Sequence, residues 1–164
     1  MVKENMSKVQ KLTVSAMVMA LYVVVLYFTQ SFSFGAYQIR IATALYALAY
    51  LFPFLVLPLG FANFIANFLF GGLGLLDWFG GFVGIIVTAI IVLIRRKGWS
   101  RWLMILPIIL VPGLGVPSYL SYLLHVPYSV LATSLCIGQS VPAVCGVVLV
   151  NVLQRALYPK ATKA

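Results

Sequence analysis

The stretch Leu12–Phe28, LTVSAMVMALYVVVLYF, decides the fold class. It carries no charge, and extended to Lys11 and Phe32 it is long enough to cross a hydrocarbon core, which takes roughly 20 helical residues at about 1.5 Å each. Lys3, Lys8 and Lys11 precede it and no small-residue cleavage pattern follows it, so it reads as a first transmembrane helix and not as a cleaved signal peptide. The rest of the chain has the same character. Of its 164 residues, 63% are hydrophobic and 8% charged, and the mean hydropathy is +1.10. A water-facing surface of this size cannot be built from that composition, so the expected solvent is the bilayer.

Working outward from this helix, the chain reads as an all-α integral membrane bundle of six transmembrane helices. The first is Lys11–Phe32, followed by a loop over Ser33–Gln38. The second starts near Ile39 and ends before a reversal at Pro53–Pro58, where proline removes a donor and restricts its predecessor. The third is Leu59–Phe70. At twelve to fifteen residues, the second and third are short for a full crossing unless tilted, extended or shielded by protein. A glycine-rich loop, Gly71 to Asp77, leads to a fourth helix over Trp78–Ile94. The fifth, Trp102–Leu124, is expected to be kinked or broken by Pro107, Pro112 and the run Gly113-Leu114-Gly115-Val116-Pro117. The sixth is Pro127–Leu157. All of it forms a single domain, residues 1–164, with short tails at about 1–10 and 158–164, and no length remains for a soluble domain.

Charge orients this path. Of the eleven Lys and Arg residues, all but Arg40 fall in the N-terminal tail, the loop between the fourth and fifth helices, and the C-terminal end. Six crossings put these three clusters on one side, which is the cytoplasm by the excess of basic residues in cytoplasmic loops, giving N-in and C-in topology. A net charge of +9 arranged this way is a topology signal and not a nucleic-acid surface. The only acidic residues are Glu4 and Asp77, too few for paired-carboxylate catalysis, an oxygen-ligand metal cage or an acidic proton relay. Cys136 and Cys145, nine residues apart, lie roughly 13 Å apart on a helix, too far for a disulfide. His125 has no metal-ligand spacing around it. No enzyme, metal or cofactor is expected.

The side opposite the basic clusters collects Gln38, Arg40, Asp77, Trp78 and His125, which suggests a binding pocket that opens outward. Arg40 and Asp77 either pair, meet a ligand, or do neither: Arg40 snorkels and Asp77 caps the fourth helix. Asn63 and Asn67, four apart, share a helix face. Asn63 is read as an inter-helix bond and Asn67 as the better ligand contact. Thr43 and Gln139 are buried polar residues without a local partner, and Trp78 and Tyr119 are aromatic surfaces on which a planar ligand can stack. Ala16 and Ala20 form a small-xxx-small pair through which another helix approaches closely.

The run Gln38-Ile39-Arg40-Ile41-Ala42-Thr43-Ala44-Leu45, the proline reversal, Ala62-Asn63 to Asn67, and Gly74-Leu75-Leu76-Asp77 together resemble the QueT family, best over residues 36–90 and more loosely in the sixth helix. These are substrate-binding S components of energy-coupling factor transporters associated with queuosine precursors. The resemblance implies an S component in the cell membrane that captures its substrate externally. It also implies a transmembrane coupling (T) subunit and two cytoplasmic ATPases as partners, with Ala16 and Ala20 facing the coupling subunit. The substrate-binding residues expected from the polar positions above are Gln38, Arg40, Thr43, Asn67, Asp77, Trp78 and Gln139. Thr43 and Gln139 depart from the family pattern, which has acidic residues there, so a cationic amine is disfavoured and a neutral deazapurine, or another planar heterocycle or vitamin, fits better. A non-transport scaffold or assembly subunit is the rival of another class, and it predicts no saturable small-molecule binding.

Overall fold

A computed structural model of the chain describes residues 6–35, 37–71 and 74–157, with the side chains of Leu76, Asp77 and Phe79 outside the description. The described residues are 85% helix, without a strand among them. Helix α1, Lys8–Phe28, starts at a capping box in which Ser7 Oγ accepts from the Gln10 N–H and Gln10 Oε1 accepts from the Ser7 N–H, at 3.2 and 2.8 Å. It ends earlier than the apolar run predicts. The Thr29 hydroxyl bonds back to the Val25 carbonyl, 2.8 Å away, and the single turn α2, Gln30–Ser33, is offset from it.

The second helical segment departs most from expectation. Ile41–Tyr50 is a ten-residue 3-10 helix, a form that rarely exceeds four residues. Its rise of about 2.0 Å per residue gives a length near 20 Å, which an α-helix would need about thirteen residues to cover. That offsets part of the shortness of the segment, which remains below the roughly 30 Å of a hydrocarbon core. It is also narrow and alanine-rich, and residues 42 to 49 are all buried. Helices α1, α3, α5, α6 and α7 all touch it, making it the axis of the bundle.

Helix α3 runs Val56–Phe70 after a 3-10 turn at Pro53–Leu55, and Pro58 falls in its first turn, where the missing donor costs little. The expected fourth helix is split into α4, Leu75–Gly80, and α5, Val83–Arg96. The break lies at Gly81, which sits so close to α3 that a Cβ there would come within 2.4 Å of the Phe64 Cα. Conversely, α6, Ile105–Leu124, continues through Pro112 and Pro117, where a break was expected. It lies along α7, which holds it in shape despite the lost donors. His125, with φ +53°, ends α6, and α7, Tyr128–Leu157, spans 30 residues. Cys136 and Cys145 are free thiols on it.

Four segments are long and apolar enough to cross a membrane: Lys8–Phe28, Pro53–Phe70, Arg101–Leu124 and Tyr128–Leu157. Their outer faces carry exposed Leu12, Phe28, Phe68 and Val152, as a lipid-facing surface does. Basic residues of the N-terminal cluster and of the α5–α6 connection gather at one end of the bundle. Lys11 lies 5.8 Å from the centre of the Phe54 ring, Arg95 Nη1 donates to the Leu51 carbonyl at 2.9 Å, and Arg101 Nη1 donates to Asn151 Oδ1 at 2.7 Å. Arg40 and Asn67 lie at the other end.

Two glycines on neighbouring helices test this packing. A Cβ on Gly138 would fall 1.7 Å from the Tyr37 carbonyl oxygen, whereas one on Gly115 meets nothing within 4 Å. Gly138→Ala is expected to destabilise the protein by about 1–3 kcal/mol, as overpacking does. Gly115→Ala is expected to be neutral or to stabilise by up to about 1 kcal/mol through helix propensity. Thermal unfolding of the two variants in detergent separates them, and equal midpoints would contradict the packing described.

Candidate functional site

The geometry of the 3-10 helix builds one wall of an internal hollow. With three residues per turn, side chains at i and i+3 eclipse, so Arg40, Thr43 and Tyr46 form a single row. On an α-helix the same spacing would fan them around the axis. The row faces a hollow lined also by Gln38, Asn63 and Gln139 on the polar side and by Gly80, Val83, Pro112, Val116 and Leu135 on the apolar side. The hollow is narrow. Its empty space comes to about 330 Å³, but only about 20 Å³ admits the centre of a water molecule. A molecule much larger than water enters only if the walls separate.

Arg40 is the centre of the polar wall. Its Nη1 donates to Asn63 Oδ1 at 3.1 Å and its Nη2 to Asn67 Oδ1. Its guanidinium carbon lies 4.8 Å from the centre of the Phe34 ring, a cation–π contact. Asn63 bonds on both sides of its amide: its Oδ1 also accepts from the Tyr22 hydroxyl at 3.0 Å, and its Nδ2 donates to the Gly81 carbonyl at 2.7 Å, at the break between α4 and α5. Tyr22 and Tyr46 stack at 5.7 Å with their hydroxyls 3.2 Å apart. The Tyr46 hydroxyl fits there because residue 84 is glycine, whose Cβ would lie 2.7 Å from it.

A second set of bonds ties α7 to the start of the row. The Thr43 hydroxyl lies 2.7 Å from the Arg40 carbonyl and 2.9 Å from Gln139 Oε1, and its one proton serves either acceptor. Gln139 Nε2 donates to the Gln38 carbonyl at 3.2 Å. Gln38 has φ +44°, a left-handed conformation that is unfavourable for a residue with a side chain. It turns that carbonyl towards α7.

Of the residues singled out from the sequence, Gln38, Arg40, Thr43 and Gln139 converge on the hollow. Asn67 is buried behind Arg40 and holds it without lining the space, while Asn63, read as an inter-helix bond, does both. Trp78 packs edge-on against Phe68, ring centres 4.9 Å apart, and is not among the lining residues. The hydroxyl of Tyr119 lies against Gly80. The side chain of Asp77 lies outside the described residues. Ala16 and Ala20 are on the exposed face of α1. Sequence reading missed Tyr22, Tyr46, Phe34 and the apolar wall. Tyr22 and Tyr46 left a signal, since a tyrosine in mid-span, away from the interfacial belt, requires a partner for its hydroxyl.

A helical membrane protein whose polar side chains converge on an enclosed internal hollow has the construction of a small-molecule transport protein. The family model described as QueT transporter matches residues 12–155, and the chain belongs to that family. No curated protein and no solved structure matches the chain.

The bonding pattern ranks two substitutions. Asn63→Ala strands donors of both Arg40 and Tyr22 in the interior and is expected to cost several kcal/mol, since each buried unsatisfied group costs about 1–3 kcal/mol. Tyr22→Phe removes one donor and leaves the Arg40 contact, with an expected loss of about 1 kcal/mol. Unfolding midpoints in detergent should fall in that order, and the reverse order would count against the network.

Proposed function

We propose that this transporter-family protein is the substrate-binding S component of an energy-coupling factor importer in the cell membrane, and that it captures a planar heterocycle, a deazapurine queuosine precursor, from the outside. The observation that carries this reading is the convergence of Arg40, Thr43, Asn63 and Gln139 on one hollow at the end of the bundle opposite the basic clusters. Six passes, formed by α1, the 3-10 helix, α3, the α4–α5 pair, α6 and α7, bring Lys11, Arg95 and Arg101 to a single end. That end is the cytoplasmic one by the distribution of positive charge. The hollow then lies nearer the external face.

Donors dominate the lining. The amide nitrogens of Asn63 and Gln139 each give one N–H to a backbone carbonyl and carry a second, and Arg40 keeps further N–H groups, so the hollow suits a ligand with acceptors on its rim. A cationic amine finds no carboxylate among the described lining residues. Gln38, Arg40, Thr43, Asn63 and Gln139 contact or frame the substrate. Asn67 acts through Arg40, and Asp77 and Trp78 belong to the adjoining α4 segment.

The partners are a transmembrane coupling subunit and two cytoplasmic ATPases. Helix α1 supports this assignment: it is the least buried of the four long apolar segments, and its exposed face carries Ala16 and Ala20, where a helix of the coupling subunit can approach closely. Purification from the native membrane is expected to recover the coupling subunit, the ATPases and an ultraviolet-absorbing small molecule. Recovery of none of these would refute the proposal and favour a scaffold role. Arg40→Ala is expected to lower ligand affinity at least a hundredfold with the fold intact, and Asn67→Ala to lower it less. Ala16→Leu with Ala20→Leu is expected to lose the partners and keep the ligand, which a co-purification and binding assay on the same sample resolves.

A further inference from the structure

We infer that a groove at the basic end of the bundle binds an anionic phospholipid, whose phosphate docks on Arg101 while its hydrocarbon tail lies along α6. The groove shares no lining residue with the hollow, and its walls include Tyr50, Trp99, Arg101, Trp102 and Asn151. About 450 Å³ of it admits the centre of a water molecule, against about 20 Å³ in the hollow, so a phosphate enters without the walls parting.

The connection between α5 and α6 forms one side. It starts with a Schellman turn, in which Gly98, at φ +69°, gives its N–H to the Arg95 carbonyl at 3.0 Å and Trp99 gives its own to the Ile94 carbonyl at 3.1 Å. A 3-10 turn, Arg101–Met104, then opens α6. From the facing side, Asn151 of α7 accepts from Arg101 Nη1 at 2.7 Å and holds the half-buried guanidinium at the groove wall. That bond takes one of five N–H groups, and a guanidinium fork pairs with phosphate oxygens through charge-assisted bonds.

Charge and shape together select the ligand. Arg95, Arg96, Lys97 and Arg101 put four positive charges within seven residues, and Lys97 Nζ stands 4.9 Å from the centre of the Trp99 ring. The chain has only two acidic side chains, Glu4 and Asp77, so this end keeps a positive excess even with Glu4 beside the groove. Trp99 and Trp102 are exposed where α5 ends and α6 begins, the position that indoles take at the level of lipid headgroups. Trp102, Leu106 and Leu110, spaced by four, form an exposed apolar stripe that leaves the groove along α6. A ligand that fills both groove and stripe has an anionic head and an apolar tail. Basic pockets between membrane helices hold lipid headgroups in this way.

The test is native mass spectrometry of the full-length chain released from nanodiscs of equal parts phosphatidylglycerol and phosphatidylcholine. One phosphatidylglycerol is expected to stay bound about tenfold more often than phosphatidylcholine. Arg101→Gln should lower its retention about tenfold, the effect of losing a hydrogen bond to a charged group. Lys8→Gln, at the same end but outside the groove, should change it about twofold at most. Thermal unfolding checks that each variant is folded, and Lys97→Gln with Trp102→Ala, both on exposed side chains, decides the matter if Arg101→Gln is not. Equal retention of the two lipids would overturn the inference, and so would equal losses in Arg101→Gln and Lys8→Gln, which indicate a diffuse basic surface. Release of the lipid by excess glycerol 1-phosphate would overturn it in favour of a soluble phosphate ligand. Unchanged lipid retention in Arg101→Gln, with partner subunits lost on co-purification, would overturn it in favour of a protein contact.

Discussion

A guanidinium held among membrane-spanning helices has to be met by acceptors, and the arrangement around Arg40 satisfies that constraint by drawing on four elements at once. Asn63 and Asn67 come from successive turns of α3, Phe34 from the segment after α2, and Tyr22 of α1 reaches the same Asn63 oxygen. Asn63 in turn fixes the Gly81 carbonyl where α4 and α5 part. Because each group is shared, the outer end of the bundle behaves as one unit. Networks of this kind are worth more than their pairs and are correspondingly sensitive to the loss of one member.

The 3-10 helix is the structural counterpart of that electrostatic centre. Its pitch aligns Arg40, Thr43 and Tyr46, its length compensates for the few residues between Arg40 and the proline reversal, and its narrow cross-section admits close neighbours. Gly146 is one of these. Its backbone runs so near the 3-10 helix that a Cβ would lie 2.8 Å from the Ala44 carbonyl oxygen. The poorer hydrogen-bond geometry of a 3-10 helix is tolerable here because protein surrounds it on all sides. The same crowding leaves a hollow hardly wider than a water molecule, so substrate entry implies a change in shape.

Function follows from the contrast between the two ends. One end is basic and built from the reversal at Pro53, the α5–α6 connection and the last turns of α7. The other is polar but nearly uncharged, with Arg40 as its focus. Membership of a transporter family fits a polar hollow enclosed by apolar helices, and α1 is the least buried of the long apolar segments.

Composition, apolar runs and the placement of Lys and Arg determined by themselves that this is a helical membrane protein, and the motifs between residues 36 and 90 determined its family. Those are additive properties of local sequence: burial in lipid, proline at a turn, charge at a chain end. The sequence also marked Gln38, Arg40, Thr43 and Gln139, because polar groups in apolar segments need partners. Only the tertiary structure decided which partners. Whether Ile41–Tyr50 is α or 3-10, whether Gly81 breaks a helix while Pro112 and Pro117 do not, and whether Asn63 or Asn67 faces the hollow all depend on how closely neighbouring backbones approach. That distance is set by residues remote in sequence, such as Gly138 against Tyr37 and Gly81 against Phe64, and no local propensity encodes it.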